Sequence, residues 1–87
     1  MPSTFHRLII FIADLSVTIM QLTKVIDTDG PTSRTTAGLK SLDIIRQRTK
    51  QIIIENEQLS SFQYSVLMTH LQSTCLLLDT YVNDYCT

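Results

Sequence analysis

No stretch of this sequence carries chemistry at a recognisable spacing. It has no glycine-rich phosphate loop, no metal-ligand spacing and no pair of carboxylates set for acid–base work. Charged residues are only 17% of the chain, low for a small free monomer, and the 44% hydrophobic content excludes a disordered segment. The net charge of -1 excludes a chain drawn as a whole to nucleic acid or anionic lipid. Two cysteines, Cys75 and Cys86, are too few for a disulfide framework. On one helix they would lie about 16 Å apart, against the roughly 7 Å that a disulfide tolerates. That favours a reducing compartment, so the expectation is an intracellular protein, cytoplasmic or nuclear.

Long hydrophobic runs are also missing. The longest, Leu8 to Ala13, ends at Asp14. A span needs about 20 mostly apolar residues, and a central Asp costs about 2.5–3.5 kcal/mol to insert. Ser16 and Thr18 supply no convincing signal-peptide cleavage site. The expectation is therefore no membrane span.

Periodicity is present instead. Leu15 to Ile19 alternates as a strand would, but Phe5, Leu8, Ile12, Leu15, Ile19, Leu22 and Ile26 step by three and four throughout. This predicts a helix over about 4–26, entered through Pro2, Ser3 or Thr4, with Ile9, Phe11 and Met20 widening the stripe. Residues 27–36, "DTDGPTSRTT", read as a turn, with Thr35 or Thr36 as the next cap. A second helix is predicted over about 37–56, with a seam of Leu42, Ile45, Thr49 and Ile52 and with Leu39 and Ile53 beside it. Ser60 and Gln63 have capping-box spacing and open a third helix over about 61–85. Its seam is Tyr64, Leu67, Leu71, Thr74, Leu78, Tyr81 and Tyr85, flanked by Cys75 and Val82. The tyrosines pack their rings in this reading and let their hydroxyls reach the rim. Short connections make neighbouring helices antiparallel. The expected fold is all-α: one domain over 1–87, an up-down-up three-helix bundle. The alternative keeps the first two helices as a hairpin and commits the third to a partner.

A chain of 87 residues buries only about 60–65% of its unfolded surface, so its core gains from association. Ile10 and Val17 fall opposite the core stripe of the first helix, and Ala13 and Met20 lie near them. These four are the candidate interface with a protein partner, either a second copy or a heterologous helical subunit. Ile44, Ile54 and Leu76 also fall off their stripes, as isolated surface aliphatics do.

Charge is unevenly placed. Arg34, Lys40, Arg46, Arg48 and Lys50 crowd residues 34–50 against one acid, Asp43, whereas residues 51–87 contain no Lys or Arg. Internal neutralisation would put Lys40 near Asp79, leaving Arg46 and Lys50 as a solvated flank and Arg48 well round the helix. The competing reading makes these five residues a phosphate-binding face. The layout of paired long helices resembles, in outline, the silencing suppressors of insect nodaviruses. That resemblance implies a dimer that binds double-stranded RNA through the second helix. "YSVLMTHLQ", around His70, resembles the phosphoacceptor segment of lactose-type phosphotransferase subunits, which are three-helix proteins; it implies a phosphocarrier using His70. The acidic residue expected shortly after the histidine is replaced by Ser73 and Thr74. His70 and Cys75, five apart, share no helix face and form neither a metal pair nor a nucleophile–base pair. The sequence therefore favours a non-enzymatic interaction module without cofactors.

Overall fold

The structure, a computed structural model, describes residues 3–86. Within them three helices pack against one another: α1 (Thr4–Asp29), α2 (Ser33–Glu55) and α3 (Ser61–Tyr85). The body measures 42 × 24 × 17 Å. A 26-residue helix is about 39 Å long, so the long axis is one helix length. Pro2, one of three expected entry residues, lies outside the described part. Ser3 is the N-cap of α1 and accepts from the backbone N–H of His6.

The first turn is tighter than the sequence suggests. The break at 27–36 shrinks to Gly30, Pro31 and Thr32. Gly30 takes a positive φ of 81°, which lets the chain leave α1 sharply. Thr32, not Thr35 or Thr36, is the N-cap of α2. Its hydroxyl accepts from the Thr35 N–H at 3.2 Å, while the Thr35 hydroxyl accepts from the Thr32 N–H at 2.8 Å. This reciprocal box satisfies two backbone donors and recruits Ser33 to Thr36 into the helix. The Ser60–Gln63 box at the start of α3 forms as expected.

The core is one seam from each helix. Leu8, Ile12, Leu15, Ile19 and Ile26 of α1 meet Leu39, Leu42 and Ile53 of α2 and Leu67, Leu71, Cys75 and Leu78 of α3. Phe5 and Leu22 pack at its margin. Three buried threonines join this core. Thr23 and Thr49 donate to the carbonyls of Met20 and Ile45, and Thr35 is held in its cap. Each hydroxyl is satisfied locally, so burial leaves no orphan donor.

The seams of α2 and α3 are rotated from the sequence reading. On α2 the buried line is Thr35, Leu39, Leu42, Thr49 and Ile53, while Ile52 is exposed and Ile45 half-buried. α2 packs more extensively on α3 than on α1, and this turns its core face away from Ile52. On α3, Cys75 is buried and Thr74 only half-buried, while Tyr64 and Tyr85 keep over a third of their surface in water. Phe11 and Met20 also lie outside the stripe they were expected to widen.

Four contacts join the helices near their ends. Thr4 donates to Gln58 at 3.3 Å, and Tyr81 donates to Asp27 at 2.6 Å. The Cys86 thiol reaches the Thr36 carbonyl at 3.8 Å. Gly38 brings α2 against Leu22, where an added Cβ would lie 3.1 Å from the Leu22 Cδ2.

Candidate functional site

The outward face of α1 carries an apolar line over its middle turns. Ile10, Val17 and Met20 are 57%, 52% and 61% exposed, and Ala13 is exposed between them. Their spacing of three, four and three continues to His6 and Lys24, four residues beyond either end. Helices pair along lines of this period. The inner seam of the same helix uses a second line of the same period, so α1 is apolar on two sides. By length and composition α1 is also apolar enough to cross a membrane. Its inner residues nevertheless form one continuous line in the bundle core, and Asp14 stands exposed on the outer side.

The five basic residues do not gather on one face. Arg46 is drawn inward and donates to both Asp43 and Asp79. Burial works to lower its pKa, but the hydrogen bond and charge of Asp43 and the charge of Asp79 outweigh it and raise it. The expected partner of Asp79, Lys40, is exposed instead. Two carboxylates converge on the inner edge of α2, and Arg46, three residues after Asp43, sits between them; Lys40 points to the outside. Arg46 is thus a structural cation and no solvated flank. Arg34, Lys40, Arg48 and Lys50 remain exposed.

Beside this ion pair runs the α2–α3 groove, about 320 Å³, lined by Lys50, Met68, Gln72, Cys75 and Leu76 among others. The Cys75 thiol is buried at its floor. Desolvation pushes its pKa up, Asp79 and Asp43 add to this, and Arg46 only partly opposes them. A protonated, buried thiol is a packing group, not a nucleophile. Cys75 and Cys86 are both free thiols. His70 is half-buried at the edge of α3, above a shallow hollow lined by Ser65, Val66, Thr69 and Ser73. His70 itself lines that hollow, and its other lining residues, three hydroxyl side chains and a valine, include no acid. Among the described residues no three His, Cys, Asp or Glu side chains converge as a metal site would require.

The groove between α1 and α2 was not legible in the sequence. It measures about 390 Å³ and is walled by Arg7, Leu8 and Phe11 on one side and Ile45, Arg48, Thr49 and Ile52 on the other. Its accessible surface is almost wholly hydrocarbon. Phe11 and Ile52 look like core residues by period alone. The signal that could have found them is that each sits one residue from a better core residue, Ile12 or Ile53.

No protein-family model, curated protein or solved structure matches the chain.

Proposed function

We propose that the protein is a non-enzymatic helical interaction module that works inside the cell, as a homo-oligomer or as a small subunit of a larger complex. The reading rests on one observation: Ile10, Ala13, Val17 and Met20 make a continuous exposed apolar line on α1. Burying large side chains of this kind is worth about 1.5–3 kcal/mol each, and a two-fold contact counts each twice. Association costs several kcal/mol in lost freedom, which a line of four residues can outweigh and a single one cannot. An antiparallel, up-down-up course for the bundle supports it. Thr4 lies by Gln58, Asp27 by Tyr81 and Thr36 by Cys86, which leaves the outer line of α1 clear of α2 and α3. We read α1 as a bundle helix, not a span, because its inner line is spent on the core.

A second reading is double-stranded RNA binding by a dimer through α2. The observation that favours it is the exposure of Arg34, Lys40, Arg48 and Lys50. Their scatter around the helix and the loss of Arg46 to Asp43 and Asp79 weigh against it.

One experiment addresses both. The mass in solution is measured by light scattering, with and without double-stranded RNA at low salt. The wild type is expected above monomer mass, and Ile10→Asp with Val17→Asp is expected to give a folded, smaller species. A monomeric wild type with no protein partner, or a double variant that unfolds outright, overturns the first reading. A wild type whose mass RNA leaves unchanged removes the second, since phosphate binding strengthens as salt falls.

A further inference from the structure

The groove between α1 and α2 lies to one side of the outer line of α1, and its chemistry is different. Leu8, Phe11, Ile45 and Ile52 form an apolar floor. The Thr49 hydroxyl makes no demand on an occupant, because it already donates to the Ile45 carbonyl at 2.8 Å. The charged side chains of the lining are Arg7 on α1 and Arg48 on α2, one on each wall, and no acid accompanies them. Neither arginine forms an ion pair among the described residues.

We propose that this groove binds an acidic amphipathic helix from a partner protein, with its apolar edge on the floor and carboxylates on both flanks meeting Arg7 and Arg48. The length fits. Ile45 to Ile52 spans about 10.5 Å at 1.5 Å per residue, the distance from an apolar anchor at i to one at i+7, which is how helices seat in grooves. The charge fits as well. A guanidinium takes a carboxylate through two parallel N–H donors, and two guanidiniums on opposite walls fix the direction and register of an occupant flanked by acids. A nucleic-acid backbone would satisfy the arginines but leave the hydrocarbon floor in water. The site is separate from the assembly face, so the two readings stand or fall independently.

The test is fluorescence anisotropy of the full chain with a labelled helical peptide that carries Leu at heptad spacing flanked by Glu, beside a twin flanked by Lys. The Glu peptide is expected to bind and the Lys twin to bind at least about tenfold more weakly, since like charge at an interface is strongly disfavoured. Arg7→Glu with Arg48→Glu is expected to reverse that preference. Both residues are exposed, so the fold should persist, as circular dichroism would check. Ile52→Gln is expected to weaken both peptides, and Ile10→Asp with Val17→Asp to leave binding unchanged. Equal binding of the two peptides, or the same affinity in the charge-reversed variant, overturns the proposal. So does the absence of binding by folded wild type, or a wild-type oligomer that Arg7→Glu with Arg48→Glu alone reduces to monomer; the last would assign the groove to a second copy.

Discussion

On its α3 side α2 draws a charge inward, and on its α1 side it exposes hydrocarbon. The first groove has Arg46 at its base, tied to an acid of its own helix and to Asp79 of α3. The second has Phe11 and Ile52 open to water, Ile45 half-buried beneath them and its arginines at the rim. The difference follows from how α2 is rotated. Its buried line faces α3 more squarely than α1, and Gly38 lets α1 approach closely at Leu22, near the first turn. Further along, the two helices leave room between them. A polar tie fixes one interface of the bundle, and the other is left unfinished. An unfinished apolar interface in a small domain is where a partner is expected.

The strongest way to break this comparison lies in three consecutive isoleucines. Ile53 is fully buried, while Ile52 is 52% exposed and Ile54 also faces water. Ile53→Ala is expected to cost about 2–5 kcal/mol, the usual range for a large-to-small core change. Ile52→Ala is expected to stay within about 0.5–1 kcal/mol, because half of its surface never leaves water. Urea denaturation of both variants checks the pair. Equal losses would mean that α2 presents Ile52 to the core, and the α1–α2 groove would disappear from the account.

The same pair measures how far the sequence could be read. Three helices, their rough lengths, the cap at Ser60 and nearly the whole inner line of α1 follow from local spacing, and the outer line of α1 follows with them; Ser3 is one of three entry residues that the sequence offers. Helical period gives the width of an apolar face but not its direction when two neighbours compete for it. For that reason the sequence pattern puts Ile52 in the core, Phe11 in the stripe and Lys40 beside Asp79. On α2 the difference is a rotation that follows from its closer packing on α3 than on α1. The turn at Gly30 was overestimated for another reason: Thr32 and Thr35 cap each other, and a run of hydroxyl residues can open a helix as readily as it can make a loop. The groove needs two helices at once and could not be seen in either alone.

A smaller effect is expected at the ion pair. Arg46→Ala leaves Asp43 and Asp79 facing each other without a cation, and about 1–2 kcal/mol should be lost. The figure is kept low because the Arg46 side chain retains 22% of its exposure and Asp79 retains 47%, so solvent screens the pair. Arg48→Ala on the opposite wall should lie within about 0.5 kcal/mol of wild type. Thermal melts at low and high salt separate the two. If Arg48→Ala destabilises as much as Arg46→Ala, the α1–α2 groove is held by its own charge and is not open.

The smallest effect concerns the third interface, α1 with α3, whose polar tie is at the rim. Tyr81 donates to Asp27 at 2.6 Å, and its pKa is pushed up to about 12. The hydrogen bond to the Asp27 carboxylate is the largest cause; burial and the charge of Asp27 add to it. An unfolded tyrosine titrates near 10. The folded state therefore holds its proton more tightly than the unfolded state, and the contribution to stability is complete below a pH of about 10 and disappears between about 10 and 12. Tyr81→Phe cannot donate to Asp27 at any pH. The stability difference between wild type and Tyr81→Phe should thus be constant at neutral pH and shrink as pH rises through that window. Other groups titrate in both proteins and cancel in the difference. Urea denaturation of the two at several pH values is the measurement. A difference that stays flat to high pH would mean that the Tyr81 hydroxyl does not hold Asp27 in solution, and that α1 and α3 are joined by their apolar seams alone.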